Sequence, residues 1–189
     1  NSKEGLTLSS VDGYLRDPSD TGTVTIDTSG VNSTVDINAD STILRESAVF
    51  VRGSGGIDFS SDVYSEDGEQ NNLTFNGVNG GAVSIGDSLG SSSGRLGDIL
   101  FSTGTDIIIP DNIYGGSFIA LNNTGLIELA STTGASQDFN RVGGYQLATT
   151  GTDSAGDENI RIYSSINLSA DTAPMSISAT NGTLTVSST

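Results

Sequence analysis

Asp12, Asp17 and Asp20 fall within nine residues of one another, and Asp62, Glu66, Asp67 and Glu69 within eight. Closely spaced carboxylates, helped by loop carbonyls, are the donor set of a Ca²⁺ site, which takes six to eight oxygens. Neither segment has the EF-hand spacing or the Gly-Gly-x-Gly-x-Asp nonapeptide of calcium-binding β-rolls. Solvated loop charge is therefore the competing reading, and Ca²⁺ the one cofactor to weigh.

Other chemistry is narrowly bounded. The chain has no histidine, so a Ser-His-Asp triad is excluded. Two carboxylates at the right separation would suffice for a glycosidase. A lyase would further need clustered bases, and Lys3, Arg16, Arg45, Arg52, Arg95, Arg141 and Arg161 are scattered. We expect no catalytic residue and no enzyme. Tyr14, Tyr64, Tyr114, Tyr145 and Tyr163 could stack on sugars, although packing in a core is the commoner fate of tyrosine. Asn-x-Ser/Thr sequons occur at Asn32, Asn72, Asn122, Asn167 and Asn181, and matter only where surface proteins are glycosylated on asparagine.

The net charge of −16, from 23 acids against seven bases, argues against a nucleic acid partner, because phosphate binding needs a basic face. It disfavours anionic membrane surfaces equally. Acids also keep β-rich edges from pairing at random. Without cysteine there is no disulfide framework, thiol chemistry or structural zinc site of the usual kind. No apolar run reaches the roughly 18 residues of a membrane span. The chain begins at Asn1 without a signal peptide, which we read as a piece of something larger.

The elements that must position these groups are strands. No window shows apolar residues at helical spacing, whereas period-two alternation recurs through the chain. Expected strands are Leu6–Leu8, Val24–Asp27, Thr34–Asn38, Thr42–Leu44, Ala48–Arg52, Ile57–Phe59, Leu73–Asn76 and Ala82–Ile85. They continue at Ile99–Ser102, Asp106–Ile109, Ser117–Leu121, Leu126–Leu129, Asp138–Asn140, Tyr145–Leu147, Ile160–Tyr163, Met175–Ser178 and Thr183–Ser187. Gly, Asn, Asp and Ser clusters divide them, as tight turns require. Aromatics are only 6 % of the chain, too few for one deep core but enough for a thin stacked one.

A long repeat organises these strands. Leu44, Ile57, Phe59 and Val63 recur as Leu147, Ile160, Ile162 and Ile166, each 103 positions on. Asn79-Gly80, between Leu73-Thr-Phe75 and Val83-Ser-Ile85, returns as Asn181-Gly182 between Met175-Ser-Ile177 and Leu184-Thr-Val186. Val24-Thr-Ile26 returns as Ile127-Glu-Leu129. The division this suggests is a first copy over 1–87, a Ser/Gly-rich connecting loop over 88–97, and a second copy over 98–189. Stacked repeats bury each other's apolar faces, which favours a solenoid over antiparallel β-sandwich units. The loops Tyr64–Asn72 and Thr149–Asn159 differ between copies and are where specific binding would sit.

The order of elements is similar to a known family. Ile127-Glu-Leu129, followed by Gly134-Ala-Ser-Gln137-Asp-Phe139, then Asn159-Ile160-Arg-Ile162, and the closing Met175-Ser-Ile177 to Leu184-Thr-Val186, resembles bacterial β-strand-repeat surface proteins. These are giant secreted adhesins of the filamentous-haemagglutinin and autotransporter-passenger type. Phe139-Asn-Arg-Val-Gly-Gly-Tyr145 departs from their pattern. The resemblance implies an all-β, right-handed parallel β-helix at the bacterial cell surface. It implies a structural or adhesive shaft. Leu6-Thr-Leu8 and Leu184-Thr-Val-Ser187 alternate without charge and without a capping helix, so the terminal strands are expected to meet further repeats or identical subunits. A self-assembling filament or surface-layer subunit, and a carbohydrate-binding or carbohydrate-cleaving module facing surface glycans, stand as alternatives.

Overall fold

The chain was analysed as a computed structural model, which describes residues 6–15, 23–28, 34–52, 55–77, 82–101, 106–140, 144–149, 160–168, 174–180 and 184–186. The chain winds in coils, each passing up to three faces. The early coils hold β1 (Leu6–Leu15) and β2 (Thr23–Thr28), β3 (Val35–Leu44) and β4 (Ser47–Arg52), then β5 (Ile57–Phe59), β6 (Asp62–Ser65) and β7 (Leu73–Gly77). In the middle lie β8 (Val83–Ile85) and β9 (Asp98–Phe101), followed by β10 (Ile107–Ile109), β11 (Ile113–Gly115) and β12 (Ser117–Asn123). The last coils hold β13 (Ile127–Leu129), β14 (Gln137–Phe139) and β15 (Tyr145–Thr149), then β16 (Ile160–Ile162), β17 (Ile166–Leu168) and β18 (Met175–Ala179), and finally β19 (Leu184–Val186).

Like strands stack on like. The first face runs β1-β3-β5-β8-β10-β13-β16-β19, the third runs β2-β4-β7-β9-β12-β15-β18, and β11-β14-β17 form the second. On the second face β6 pairs with the latter half of β3, and Leu89 bridges Val63 to Ile113, so the column is continuous. Every strand pairing among the described residues is parallel. The fold is a parallel β-solenoid, and antiparallel sandwich units are excluded.

Parallel register turns sequence alternation into core columns, since every second side chain points inward. Val35, Ile57, Val83, Ile107, Ile127 and Ile160 form one buried column on the first face. On the third face Phe50, Phe75 and Phe101 stack with ring centroids 5.5 and 4.7 Å apart. At Ala120 that column loses its ring, and Phe118 in the neighbouring column takes over, 5.3 Å from Phe101 and 5.8 Å from Tyr145. All six phenylalanines are buried in this stack, which explains how so few aromatics hold the fold.

Small polar residues close the corners. Asp62 Oδ1 accepts the Ser88 backbone N–H at 3.0 Å, and Asn112 Oδ1 accepts that of Ser136 at 2.9 Å, one coil further along in each case. At the corner before the third face, Asn72 donates its backbone N–H to Ser47 Oγ, and Asn72 Oδ1 accepts that of Asp98 at 2.8 Å. Ser117 Oγ then donates to Asp98 Oδ1 at 2.9 Å. The Asn, Asp and Ser content of the chain is thus partly a set of coil-to-coil ladders that satisfy backbone donors where the strands stop.

The repeat needs a correction of unit. Ile57 reaches Ile160 through Val83, Ile107 and Ile127, four coils in all. The structural period is one coil of roughly 20–33 residues on this face, and 103 residues span four of them. Val63 and Ile166 share a column, as do Leu73 and Met175, and Val83 and Leu184. Leu44 and Leu147 do not, lying on the second and third faces. Val24–Ile26 and Ile127–Leu129 likewise belong to the third and first. Asn79-Gly80 and Asn181-Gly182 lie outside the described residues.

Segment 88–97, read as a flexible connector, is built into a coil. Leu89 and Leu96 are fully buried, and the Gly97 backbone N–H donates to Asn71 O at 2.9 Å. Strands β6, β11 and β17 were not expected. All three belong to the second face; in β6 and β11 the inward positions include Ser65 and Gly115, which break the apolar alternation that reveals the other faces.

Candidate functional site

On the second face, two partly exposed aromatic side chains, Tyr64 and Tyr114, line an open depression. Val63, Leu89 and Ile113 align inward, so the following residues, Tyr64, Gly90 and Tyr114, align outward on three successive coils. Two strand spacings put the tyrosine backbones about 9–10 Å apart. Gly90 keeps the middle position empty. Its φ of +83° suits glycine, and an added Cβ would overlap the Tyr114 carbonyl oxygen.

The rings lean away from each other. The Tyr64 hydroxyl donates to Ser41 Oγ at 3.4 Å, one coil back, and the Tyr114 hydroxyl lies 2.8 Å from Ser136 Oγ, one coil forward. Between them is a groove of about 270 Å³, with Ser91, Ser92, Asp62 and Asn112 on its floor and rim. Ser91 Oγ accepts the Gly94 backbone N–H at 2.8 Å, holding the short serine loop. Tyr64 also walls a second depression of about 290 Å³ with Ile43, Glu66 and Asp67.

Arg95 packs on Tyr114. Its guanidinium lies over the Tyr114 ring, 5.5 Å from the centroid. Nη2 pairs with Asp138 Oδ2 at 2.9 Å, and Nη1 donates to Asp138 O at 2.7 Å and Gly115 O at 3.2 Å. One side chain thereby ties three coils together and spends its charge on Asp138. At the adjoining corner Asp87 meets Asp111. Partial burial, a hydrogen bond with Asp111 and the Asp111 charge raise the Asp87 carboxyl above its usual range.

The expected site residues are dispersed. Asp62 caps Ser88, Glu66 pairs with Arg45 at 3.0 Å, and Glu69 Oε2 accepts from Asn71 Nδ2 at 2.7 Å. Asp67 is exposed in the turn before β7. Among the described residues no three acidic side chains come together as a metal-binding group. Asp12 sits opposite Ser41 in β1, and its side chain lies outside the described residues, as do Asp17 and Asp20 entirely. Of the tyrosines, Tyr145 is fully buried, Tyr163 is half-buried, Tyr14 is in register with Ile43 and its side chain lies outside the described residues, and Tyr64 and Tyr114 line the groove.

Gly90, Ser91, Asn112 and Arg95 were not singled out from sequence. The available signal was the recurrence of Val-Tyr, Leu-Gly and Ile-Tyr at 63–64, 89–90 and 113–114, spacings of one coil that a 103-residue period conceals. No family model matches the chain, and neither the curated proteins nor the solved structures contain a match. The class that the structure defines is therefore architectural: a parallel β-solenoid of short, irregular coils.

Proposed function

We propose that the chain is a shaft segment of an extracellular bacterial adhesive protein, lengthened by stacking further coils or identical subunits on its ends. The observation that carries this reading is the last coil. Its inward columns continue those of the core, yet Met175, Leu184 and Val186 are 57, 42 and 59 % exposed. Their partners one coil earlier, Tyr145, Ile160 and Ile162, are wholly buried. Among the described residues no further strand pairs with β18 or β19, and such an apolar edge is a surface on which another coil can add. The resemblance to β-strand-repeat adhesins and the lack of cysteine support an exported setting. The reading assigns the chain no reaction chemistry.

Sedimentation of the wild-type chain beside Met175→Lys and Val186→Lys tests it. Concentration-dependent association is expected for the wild type, with both variants shifted toward monomer. A wild type that stays monomeric at high concentration overturns stacking through this end. Deleting residues 183–189 should act in the same direction as the lysines.

A further inference from the structure

We propose that the Tyr64–Gly90–Tyr114 groove binds an uncharged linear oligosaccharide lying along the solenoid axis. The site is distinct from the ends of the shaft and stands whether or not they associate.

Four observations select this ligand class. First, Tyr64 and Tyr114, on alternate coils, both line one groove, so one extended ligand can touch both. Sugar rings present C–H faces that pack on aromatic rings while their hydroxyls remain free at the edges. Second, the floor between the rings is polar and small. Ser91 and Ser92 hydroxyls, the Asn112 amide and the Asp62 carboxylate offer hydrogen-bond partners.

Third, no aliphatic side chain lines this groove, so its apolar surface is confined to the two tyrosine rings and the rest is polar. That balance suits a sugar better than a peptide's apolar side chain. Fourth, the charge is wrong for an anion. Asp62 is in the groove, Asp87 and Asp111 border it, and the nearest cation, Arg95, is already held by Asp138 at 2.9 Å. An acidic polysaccharide would meet repulsion with no cation to offset it. The volume, near the roughly 300 Å³ lower end of small-molecule pockets, suits a short stretch of a glycan. A separate depression lined by Ile43, Glu66 and Asp67 shares Tyr64 with this groove.

The test uses the full chain with ¹³C-labelled tyrosine rings. Neutral gluco-, manno- and galacto-oligosaccharides of two to four residues are titrated in, beside an oligogalacturonate and a proline-rich peptide. Binding of at least one neutral oligosaccharide should shift the Tyr64 and Tyr114 ring signals and leave that of buried Tyr145 in place. Tyr64→Ala and Tyr114→Ala should each weaken binding about tenfold while the variants still melt cooperatively. The proposal is overturned if no neutral sugar moves the two ring signals at millimolar concentration, or if only the anionic sugar or the peptide does. It is equally overturned if the double variant, once shown to be folded, binds as the wild type. Because the ring signals are read on the wild-type protein, a variant that fails to fold does not remove the test.

Discussion

The Tyr145 hydroxyl donates a 2.9 Å hydrogen bond to Gln137 Oε1 inside the core, joining the third face to the second. Gln137 Nε2 in turn donates to Ser164 Oγ at 3.1 Å, so the amide is used at both ends. Tyr145→Phe strands Gln137 Oε1 without a partner and should cost about 1–3 kcal/mol in urea unfolding. Replacing both partners, as Tyr145→Phe with Gln137→Leu, should cost less than the two single changes added together. Burial also pushes the Tyr145 phenol well above its ordinary range. The folded state therefore resists its ionisation, and the associated stability is intact below about pH 10 and lost above it, where the unfolded chain ionises. Tyr145→Phe should flatten that alkaline decline.

Phe75 lies between Phe50 and Phe101 in the ring stack, fully buried. Phe75→Ala opens a cavity on both sides of its coil and should cost about 3–5 kcal/mol. Met175→Ala, at the exposed end of the neighbouring column, should stay within roughly 0.5 kcal/mol. Equal losses from the two substitutions would contradict the inward assignment of these columns.

Asp87 supplies a pH dependence of opposite sign to that of an ordinary paired carboxylate. Its folded-state affinity for the proton is raised by burial and by Asp111. The stability it contributes is complete below about pH 4, the usual range of an unfolded aspartate, and is lost as pH rises through the raised folded value. Asp87→Asn should raise the melting temperature at pH 7, with the gain fading toward pH 4. An unchanged melting temperature at pH 7 would show that Asp111 repels nothing in the folded chain.

Arg95 tests the coil-to-coil ties. Arg95→Met removes the ion pair and two donations to backbone carbonyls and should cost about 1–3 kcal/mol. Arg95→Lys keeps the charge but loses the planar fork, so it should recover only part of that loss. Thermal melting at low and moderate salt reads both.

Much of the architecture was legible in the chain because two of the three faces alternate cleanly. Ile57-Asp-Phe59, Val83-Ser-Ile85 and Leu73-Thr-Phe75 each present two apolar residues to the core with a polar one between. The second face was only partly legible, through Asp138–Asn140 and the recurrence of Val63 as Ile166. Ser65, Gly115 and Gln137 occupy its inward positions, and a buried Gln looks like surface until Ser164 and Tyr145 are seen to satisfy it. Missing the rest of that face also concealed the groove, whose residues are brought together only by a one-coil register. Tyr64 and Tyr114 are 50 positions apart in the chain, and nothing local links them. The long repeat concealed the short one because adjacent coils differ in length at their corners, while coils four apart share closer sequence.

Strand-to-strand hydrogen bonds in this fold run along the long axis, so a tensile load pulling the ends apart stretches them in series instead of shearing them together. Such a rod yields link by link, starting at its weakest rung, and shortens the loaded part without losing the rest. Arg95 alters that sequence locally. By clamping three neighbouring rungs it acts as a rip-stop, a point at which unzipping must break several attachments in one step. Extension of single molecules should therefore show small regular yields interrupted by a taller one.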